Sequence, residues 1–183
     1  MSNNLLSKFG LELNVGVVGA SGGLGQAFVE QFASQLHVAK IHAFSRTQIK
    51  FESEKVESHQ IDIQSEHSIQ EALDAIGDTI LFDIVVVATG FLHDEHVSPE
   101  KTIRDVNMDY FREVFSVNTY GPALLAKYFL PRLQRDRKSV FACLSARVGS
   151  ISDNRLGGWY AYRASKAALN MILKNAAIEM ARR

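Results

Sequence analysis

The chain has 183 residues, of which 46% are hydrophobic and 22% charged, and its 20 basic residues balance its 20 acidic ones. This composition predicts a soluble globular protein with one sizeable core, and the zero net charge excludes a general attraction for nucleic acid or an anionic membrane. The single cysteine, Cys143, excludes an intramolecular disulfide and is interpreted as a buried thiol because it lies in an apolar run.

Neither a metal site nor a targeting segment is predicted. His93 and His96 are three residues apart, but the acidic residues beside them indicate a solvated loop. Residues 1–9 have neither a long apolar core nor a basic flank, so no signal peptide is expected. Because no apolar run approaches the length of a membrane span, we expect a cytoplasmic protein without membrane or nucleic-acid partners.

Short apolar runs alternate with longer helical patterns along the chain. Strands are predicted over residues 14–18, 41–44, 56–61, 83–88 and 140–144. Helices are predicted after the first strand with Leu24, Phe28, Phe32 and Leu36 on one face, after an N-cap at Ser65, over about 107–134, and from about Trp159 to the end. This order predicts an α/β fold: a doubly wound parallel sheet of the Rossmann type with three αβα layers.

A glycine-rich segment, GASGGLG over residues 19–25, joins the first predicted strand to the helix that follows. Glycine permits a tight turn and lets the backbone approach a pyrophosphate, while the helix N-terminus offers N–H groups and the positive end of its dipole. The position between a strand and a helix favours a dinucleotide-phosphate site over a flexible loop. The residues assigned to it are Gly19, Ser21, Gly23, Leu24 and Gly25.

The end of the second predicted strand favours NADP over NAD. NAD sites place an acidic residue about 20 residues after the glycine loop, where it holds the ribose 2′-hydroxyl. This chain has Ser45 and Arg46 there instead. Arg46 is suited to a charge-assisted bond with a 2′-phosphate, although a solvated surface arginine is the alternative.

The ends of the third and fourth predicted strands supply further candidate cofactor contacts. Asp62 and Ile63 are assigned to the adenine, with Asp62 alternatively serving only the N-terminus of the next helix. Small residues at the carboxyl edge of a parallel sheet let a ribose lie against the backbone. Ala88, Thr89 and Gly90 are assigned to that role.

Tyr162 and Lys166 are four residues apart on the last predicted helix, and therefore share one face. A lysine ammonium beside a phenol lowers its pKa, which would make Tyr162 an acid or base near neutrality. A surface tyrosine over a lysine stem is the alternative. Tyr160 has Ala164 in the corresponding position and so lacks such a partner.

Taken together, these segments resemble the short-chain dehydrogenase/reductase superfamily over essentially the whole chain. Residues 18–25 resemble its TGxxxGxG motif with Val18 in place of threonine, and residues 88–90 resemble the end of its NNAG motif. Residues 117–121 resemble the segment that holds its active-site asparagine, here Asn118, and residues 162–166 match its YxxxK motif. Within the superfamily, residues 149–151 and 157–163 are similar to the C-factor and sniffer-like carbonyl reductases.

The resemblance implies an NADP-dependent oxidoreductase that reduces a carbonyl, or oxidises an alcohol, by hydride transfer. Tyr162 would be the acid or base, Lys166 would lower its pKa and bind the nicotinamide ribose, and Asn118 would position a water. The family usually ends its fifth strand with two serines, but Ala146 replaces the second. We therefore assign the catalytic serine to Ser145, because a strand end holds its geometry better than a loop, and keep Ser150 as the alternative.

The resemblance also bears on domains and partners. Family members carry further strands after the YxxxK helix, so residues 1–183 are predicted to form one NAD(P)-binding Rossmann domain truncated at its C-terminus. Residues 161–180 are apolar around nearly the whole helix, which predicts a homodimer or homotetramer. The expected substrate is a small carbonyl or alcohol. The alternative function is an NAD(P)-binding signalling or regulatory protein with little turnover.

Overall fold

The computed structural model describes residues 5–95 and 97–182, so His96 and the first four residues of the N-terminal segment lie outside the described residues. The chain divides into two compact units. The sheet unit comprises Met1–Thr89 and Lys127–Cys143, and the helical unit comprises Gly90–Ala126 and Leu144–Arg183. The assignment of residues 1–183 to one domain stays a prediction.

All the strands found in residues 5–95 and 97–182 belong to the sheet unit. They are β1 (Leu13–Val18), β2 (Val38–Ser45), β3 (Val56–Gln60), β4 (Ile84–Val87) and β5 (Val140–Cys143). They form a parallel sheet in the order β3-β2-β1-β4-β5. Helices flank this sheet, and the predicted Rossmann-like α/β class is confirmed. The apolar run within residues 83–88 lacks the alternation of a half-exposed strand, which predicts a strand covered on both faces. In the structure β4 is an interior strand, and its four residues are all buried.

The helices depart from the sequence prediction at one important place. They are α1 (Gly23–Ala33), α2 (Glu66–Ala75), α3 (Met108–Phe115), α4 (Gly121–Phe129) and α5 (Tyr160–Met180). The long helix predicted over residues 107–134 is divided by a π-helical turn, Ser116–Tyr120, and ends in a 3-10 turn, Leu130–Arg132. Apolar periodicity does not distinguish a π turn from an α-helix, so the prediction missed the division.

The predicted apolar face of α1 is partly wrong. Phe28 and Phe32 pack against the core, but Leu24 is 65% exposed and Leu36 is 95% exposed. The helix ends at Ala33, so Leu36 no longer continues its periodicity. The predicted N-cap at Ser65 is confirmed, since its hydroxyl accepts from the backbone N–H of Ser68 at 3.3 Å.

Each unit has its own apolar packing. In the sheet unit, side chains of β1, β2 and β4 pack with Val29 of α1. Phe44, Phe82 and Phe129 form a further, fully buried aromatic group in the same unit. In the helical unit, a smaller cluster contains Tyr110 and part of the Tyr162 side chain. The tyrosine ring is thus held by packing.

Candidate active site

The glycine loop in the sheet unit has the geometry of a phosphate cradle. Gly19 has a φ of 87°, which favours glycine, and its N–H donates to the carbonyl of Phe44 at 2.8 Å. A Cβ on Gly25 would overlap the carbonyl oxygen of Gly19. Residues 21–24 are exposed at the start of α1. The N-cap residue is Gly22, which has no side chain to cap the helix. The first N–H groups of α1 therefore lie at an exposed surface without a side-chain cap, an arrangement suited to an anion.

We expect Gly25→Ala to destabilise the sheet unit, while Gly23→Ala leaves it nearly unchanged. The methyl group at position 25 would collide with backbone, whereas nothing lies within 4 Å of a Cβ at position 23. Overpacking of this kind costs about 1–3 kcal/mol in unfolding free energy. Urea unfolding of both variants checks this prediction. Equal stability of the two would contradict the tight loop geometry.

Arg46 and Asp62 lie together at the ends of β2 and β3. Both line a cavity of about 420 Å³, along with Ser68 and Glu71. Arg46 is exposed, which leaves its guanidinium accessible to an anion. Asp62 accepts from the backbone N–H of Gln64 at 2.9 Å, so it also serves the turn before α2, the alternative role that the sequence left open.

The other predicted cofactor residues of the sheet unit differ in burial and in hydrogen bonding. Ser45 is buried and its hydroxyl donates to the carbonyl of Thr47 at 2.7 Å, so it supports the turn around Arg46. Ile63 is also buried. Ala88 is half-buried. The Thr89 hydroxyl is buried without a hydrogen-bond partner among the described residues. A buried hydroxyl of this kind is suited to a ligand bond, because burial without one carries a desolvation cost.

Tyr162 and Lys166 lie together on α5, as predicted. The Lys166 ammonium is 5.8 Å from the centre of the Tyr162 ring. Lys166 is buried and donates to the carbonyl of Leu144 at 3.0 Å. A Cβ on Gly149 would lie 2.8 Å from the Cβ of Lys166, so glycine is needed there for the lysine stem to pack.

The electrostatics of Tyr162 differ from the sequence prediction. Burial raises the pKa of the Tyr162 phenol above its usual value, where the lysine was expected to lower it. The physical reason is that burial disfavours the charged phenolate. Tyr162 therefore holds its proton at neutral pH, which is the state that a proton donor requires.

Asn118 lies in the π turn and is fully buried. Its Oδ1 accepts from the backbone N–H of Phe91 at 2.8 Å, and its Nδ2 donates to the carbonyl of Phe91 at 2.8 Å and to Ser165 Oγ at 3.2 Å. Both amide hydrogens are therefore used, and only Oδ1 has acceptor capacity left. A Cβ on Gly90 would lie 3.7 Å from both Asn118 Oδ1 and Lys166 Nζ, so these three residues are close together.

The two candidate serines lie in different surroundings. Ser145 is exposed just after β5, and its hydroxyl donates to Asn170 Oδ1 on α5 at 2.7 Å. Ser150 is half-buried, and its hydroxyl accepts from the backbone N–H of Asp153 at 3.3 Å. The bond to α5 places Ser145 beside the helix that carries Tyr162. Its catalytic role stays a prediction.

Glu100 is a site residue that the sequence analysis missed. The residue is 3% exposed, and its carboxylate accepts from the backbone N–H of Ala161 at 3.2 and 3.3 Å. Its carbonyl accepts from the N–H of Trp159, a residue with a φ of 54° and no capping side chain. Glu100 thus caps the helix that carries Tyr162. No sequence signal connects residues 61 positions apart.

The five-stranded parallel sheet with its glycine loop, together with the Tyr162–Lys166 pair, defines a Rossmann-like protein of the oxidoreductase type. The chain belongs to the short-chain dehydrogenase family, whose model, described as short chain dehydrogenase, matches residues 14–183. This confirms the predicted family.

Individual relatives agree with the family. Benzil reductase ((S)-benzoin forming) of Bacillus subtilis is 28% identical over 165 residues, covering 89% of this chain and 65% of its own length. C-signal of Myxococcus xanthus is 36% identical over 76 residues, covering 42% of this chain and 46% of its own length. A putative short-chain dehydrogenase/reductase from Burkholderia multivorans, solved with bound NADP, superimposes with a TM-score of 0.79 at 26% identity, covering 93% of this chain and 74% of that one.

The chain thus spans about two thirds or less of the length of these curated relatives. Among residues 5–95 and 97–182, no helix is both long enough and apolar enough to cross a membrane.

Proposed function

We propose that this chain forms the cofactor-binding and catalytic part of an NADP-dependent oxidoreductase that reduces a small carbonyl compound. The observation that carries the proposal is the buried arrangement of Lys166 and Asn118 around Gly90, with the Tyr162 ring 5.8 Å from the lysine ammonium. The name of the Bacillus relative, a benzil reductase, supports reduction of a carbonyl. A regulatory protein with little turnover is not favoured, because this arrangement is intact.

The residues of the sheet unit fit a dinucleotide. Gly19 and Gly25 permit the close backbone packing of the loop, because a Cβ would lie 2.9 Å from Thr89 at the first position and would overlap the Gly19 carbonyl oxygen at the second. The orphaned Thr89 hydroxyl offers a bond to a ribose. Exposed N–H groups at the start of α1 would hold the pyrophosphate, and Arg46 the 2′-phosphate. When bound, the reduced nicotinamide supplies the hydride for the carbonyl carbon.

The residues of the helical unit would handle the proton. The raised pKa keeps Tyr162 protonated, so its hydroxyl can donate to the carbonyl oxygen as negative charge develops there. Lys166 would stabilise the phenolate that remains after Tyr162 has donated its proton. Asn118 has one acceptor position left on Oδ1, which suits a water that passes the replacement proton. Ser145 would donate a hydrogen bond to the same carbonyl oxygen.

A panel of aldehydes and ketones, incubated with NADPH and the full-length protein, tests this function. We expect the consumption of NADPH to depend on the carbonyl compound. The loss of nicotinamide absorbance measures this consumption. Cofactor binding without turnover across aromatic, aliphatic and dicarbonyl compounds would instead favour the regulatory alternative.

We expect NADPH to bind roughly ten- to a hundredfold more tightly than NADH, because a desolvated arginine–phosphate pair is worth about 1.5–3 kcal/mol. Arg46→Ala should remove this preference, while Arg135→Ala, which changes another exposed arginine of the sheet unit, should preserve it. Fluorescence titration with both reduced cofactors makes the measurement. Equal or tighter binding of NADH to the wild type would contradict the assignment.

We expect the full-length protein to be a homodimer or homotetramer that uses α5. Met171 and Ile178 are 62% and 41% exposed on this helix, and burying them against a second copy would remove apolar surface from water. Light scattering at micromolar concentration measures the state. Met171→Asp should weaken assembly, whereas Leu36→Asp, at an exposed leucine outside α5, should not. A monomeric wild type would disprove this prediction.

A further inference from the structure

A histidine pair that is not among the residues assigned to the cofactor lies on two strands of the sheet unit. His42 is on β2, opposite Glu57 on β3, and His59 follows two residues later on β3. Parallel pairing therefore directs all three side chains to the same face of the sheet. One donor atom from each residue lies within 4.8 Å of the others. We propose that His42, His59 and Glu57 form a binding site for a single Zn²⁺ ion.

The distances suit zinc. His42 Nδ1 and His59 Nε2 face each other at 3.0 Å. Tetrahedral zinc with Zn–N bonds of about 2.0–2.1 Å places its ligand nitrogens roughly 3.3 Å apart. The facing nitrogens need to separate by only a few tenths of an ångström, while the rings turn so that their lone pairs converge. Two imidazoles and one carboxylate also form a ligand set that zinc uses in proteins.

The surroundings provide both an entry path and a competitor. β3 is at the edge of the sheet, and the Glu57 side chain is 51% exposed, so an ion can reach the site from solvent. Lys40 pairs with Glu57 at 2.9 Å and occupies the carboxylate that zinc would use. Zinc must therefore displace Lys40, which limits the affinity of the wild-type site.

A bound ion would connect the two strands whose ends carry Arg46 and Asp62. β2 ends at Ser45 and β3 ends at Gln60, directly before the cavity that these two residues line. Zinc would thus stabilise the region proposed to hold the 2′-phosphate, without contacting the cofactor. The zinc site stands independently of the proposed function.

Titration of the full-length protein with ZnCl₂ against a chromophoric chelator tests the site. We expect one equivalent to bind to the wild type, and His59→Gln and Glu57→Gln each to weaken binding at least tenfold. Lys40→Gln should strengthen binding severalfold, because it removes the competing cation. Stronger zinc binding by Lys40→Gln would distinguish the site from adventitious binding. Removing a surface lysine frees a zinc ligand only if that lysine pairs with a residue of the site.

Two control variants use other potential zinc ligands of the chain. His67 and Glu71 form an exposed pair on α2 at 3.2 Å, and Cys143 is the only thiol. His67→Ala and Cys143→Ser should leave zinc affinity unchanged. Circular dichroism confirms that each variant is folded, and His42 is left intact because its burial makes loss of folding a confounding result. Absence of binding, or binding that Glu57→Gln and His59→Gln leave unchanged, would overturn the proposal.

Discussion

Replacing Tyr162 by phenylalanine is expected to lower turnover by about 10² to 10⁴-fold while cofactor binding persists. The substitution removes only the hydroxyl that we propose as the proton donor, and general acid catalysis is typically worth this much. The ring remains, so its packing with Trp159 and in the apolar cluster of the helical unit is retained. Steady-state rates and a fluorescence titration with NADPH give the two quantities separately.

Tyr160→Phe is the matched control for this experiment. Tyr160 begins α5 only two residues before Tyr162, but it has no lysine one turn later. We expect removal of the Tyr160 hydroxyl to change turnover only slightly. If both variants lose activity equally, or if only Tyr160→Phe is inactive, the proposed position of the catalytic tyrosine is wrong.

Ser145→Ala is expected to lower kcat by about 10² to 10³-fold, the usual consequence of losing one hydrogen bond to a developing oxyanion. We predict Ser145 rather than Ser150 because a strand end holds its geometry better than a loop. The Ser145 hydroxyl donates to Asn170, four residues after Lys166 on α5. Its exposure leaves the hydroxyl able to turn towards a substrate. Measurement of kcat for the variant over a range of carbonyl concentrations checks the prediction.

Ser150→Ala is the comparison that decides between the two serines. The Ser150 hydroxyl accepts from the backbone of Asp153 and lies 3.4 Å from the Ser152 hydroxyl, so it holds its own loop together. We expect its removal to affect kcat much less. The reverse result, with Ser150→Ala impaired and Ser145→Ala near wild type, would transfer the catalytic role to Ser150.

The sequence alone was sufficient for the features that depend on local spacing. The apolar run of β4 predicted a buried parallel strand because it lacks alternation. The glycine segment predicted a tight strand-to-helix turn. The structure adds the reason why residue 25 is glycine, because a Cβ there would overlap the backbone of Gly19. The four-residue spacing of Tyr162 and Lys166 predicted a shared helical face, because helix geometry follows from spacing.

Only the tertiary structure decided the features that depend on distant contacts. The bonds of Asn118 to Phe91, the cap that Glu100 provides for α5, and the contact between His42 and His59 all join residues far apart in the chain. Periodicity describes neighbours within about one turn and carries no information about such partners. The division of the predicted helix at 116–120 is of the same kind, since its buried residues, Asn118 and Thr119, bond to residues of α5.

The direction of the Tyr162 pKa shift shows this difference most clearly. Spacing placed an ammonium near the phenol, and a nearby positive charge lowers a phenol pKa. The fold buries the tyrosine, and burial disfavours the charged phenolate. The sequence thus determined which two residues share a helical face. The tertiary structure determined the direction of the Tyr162 pKa shift, because desolvation depends on everything packed around the ring.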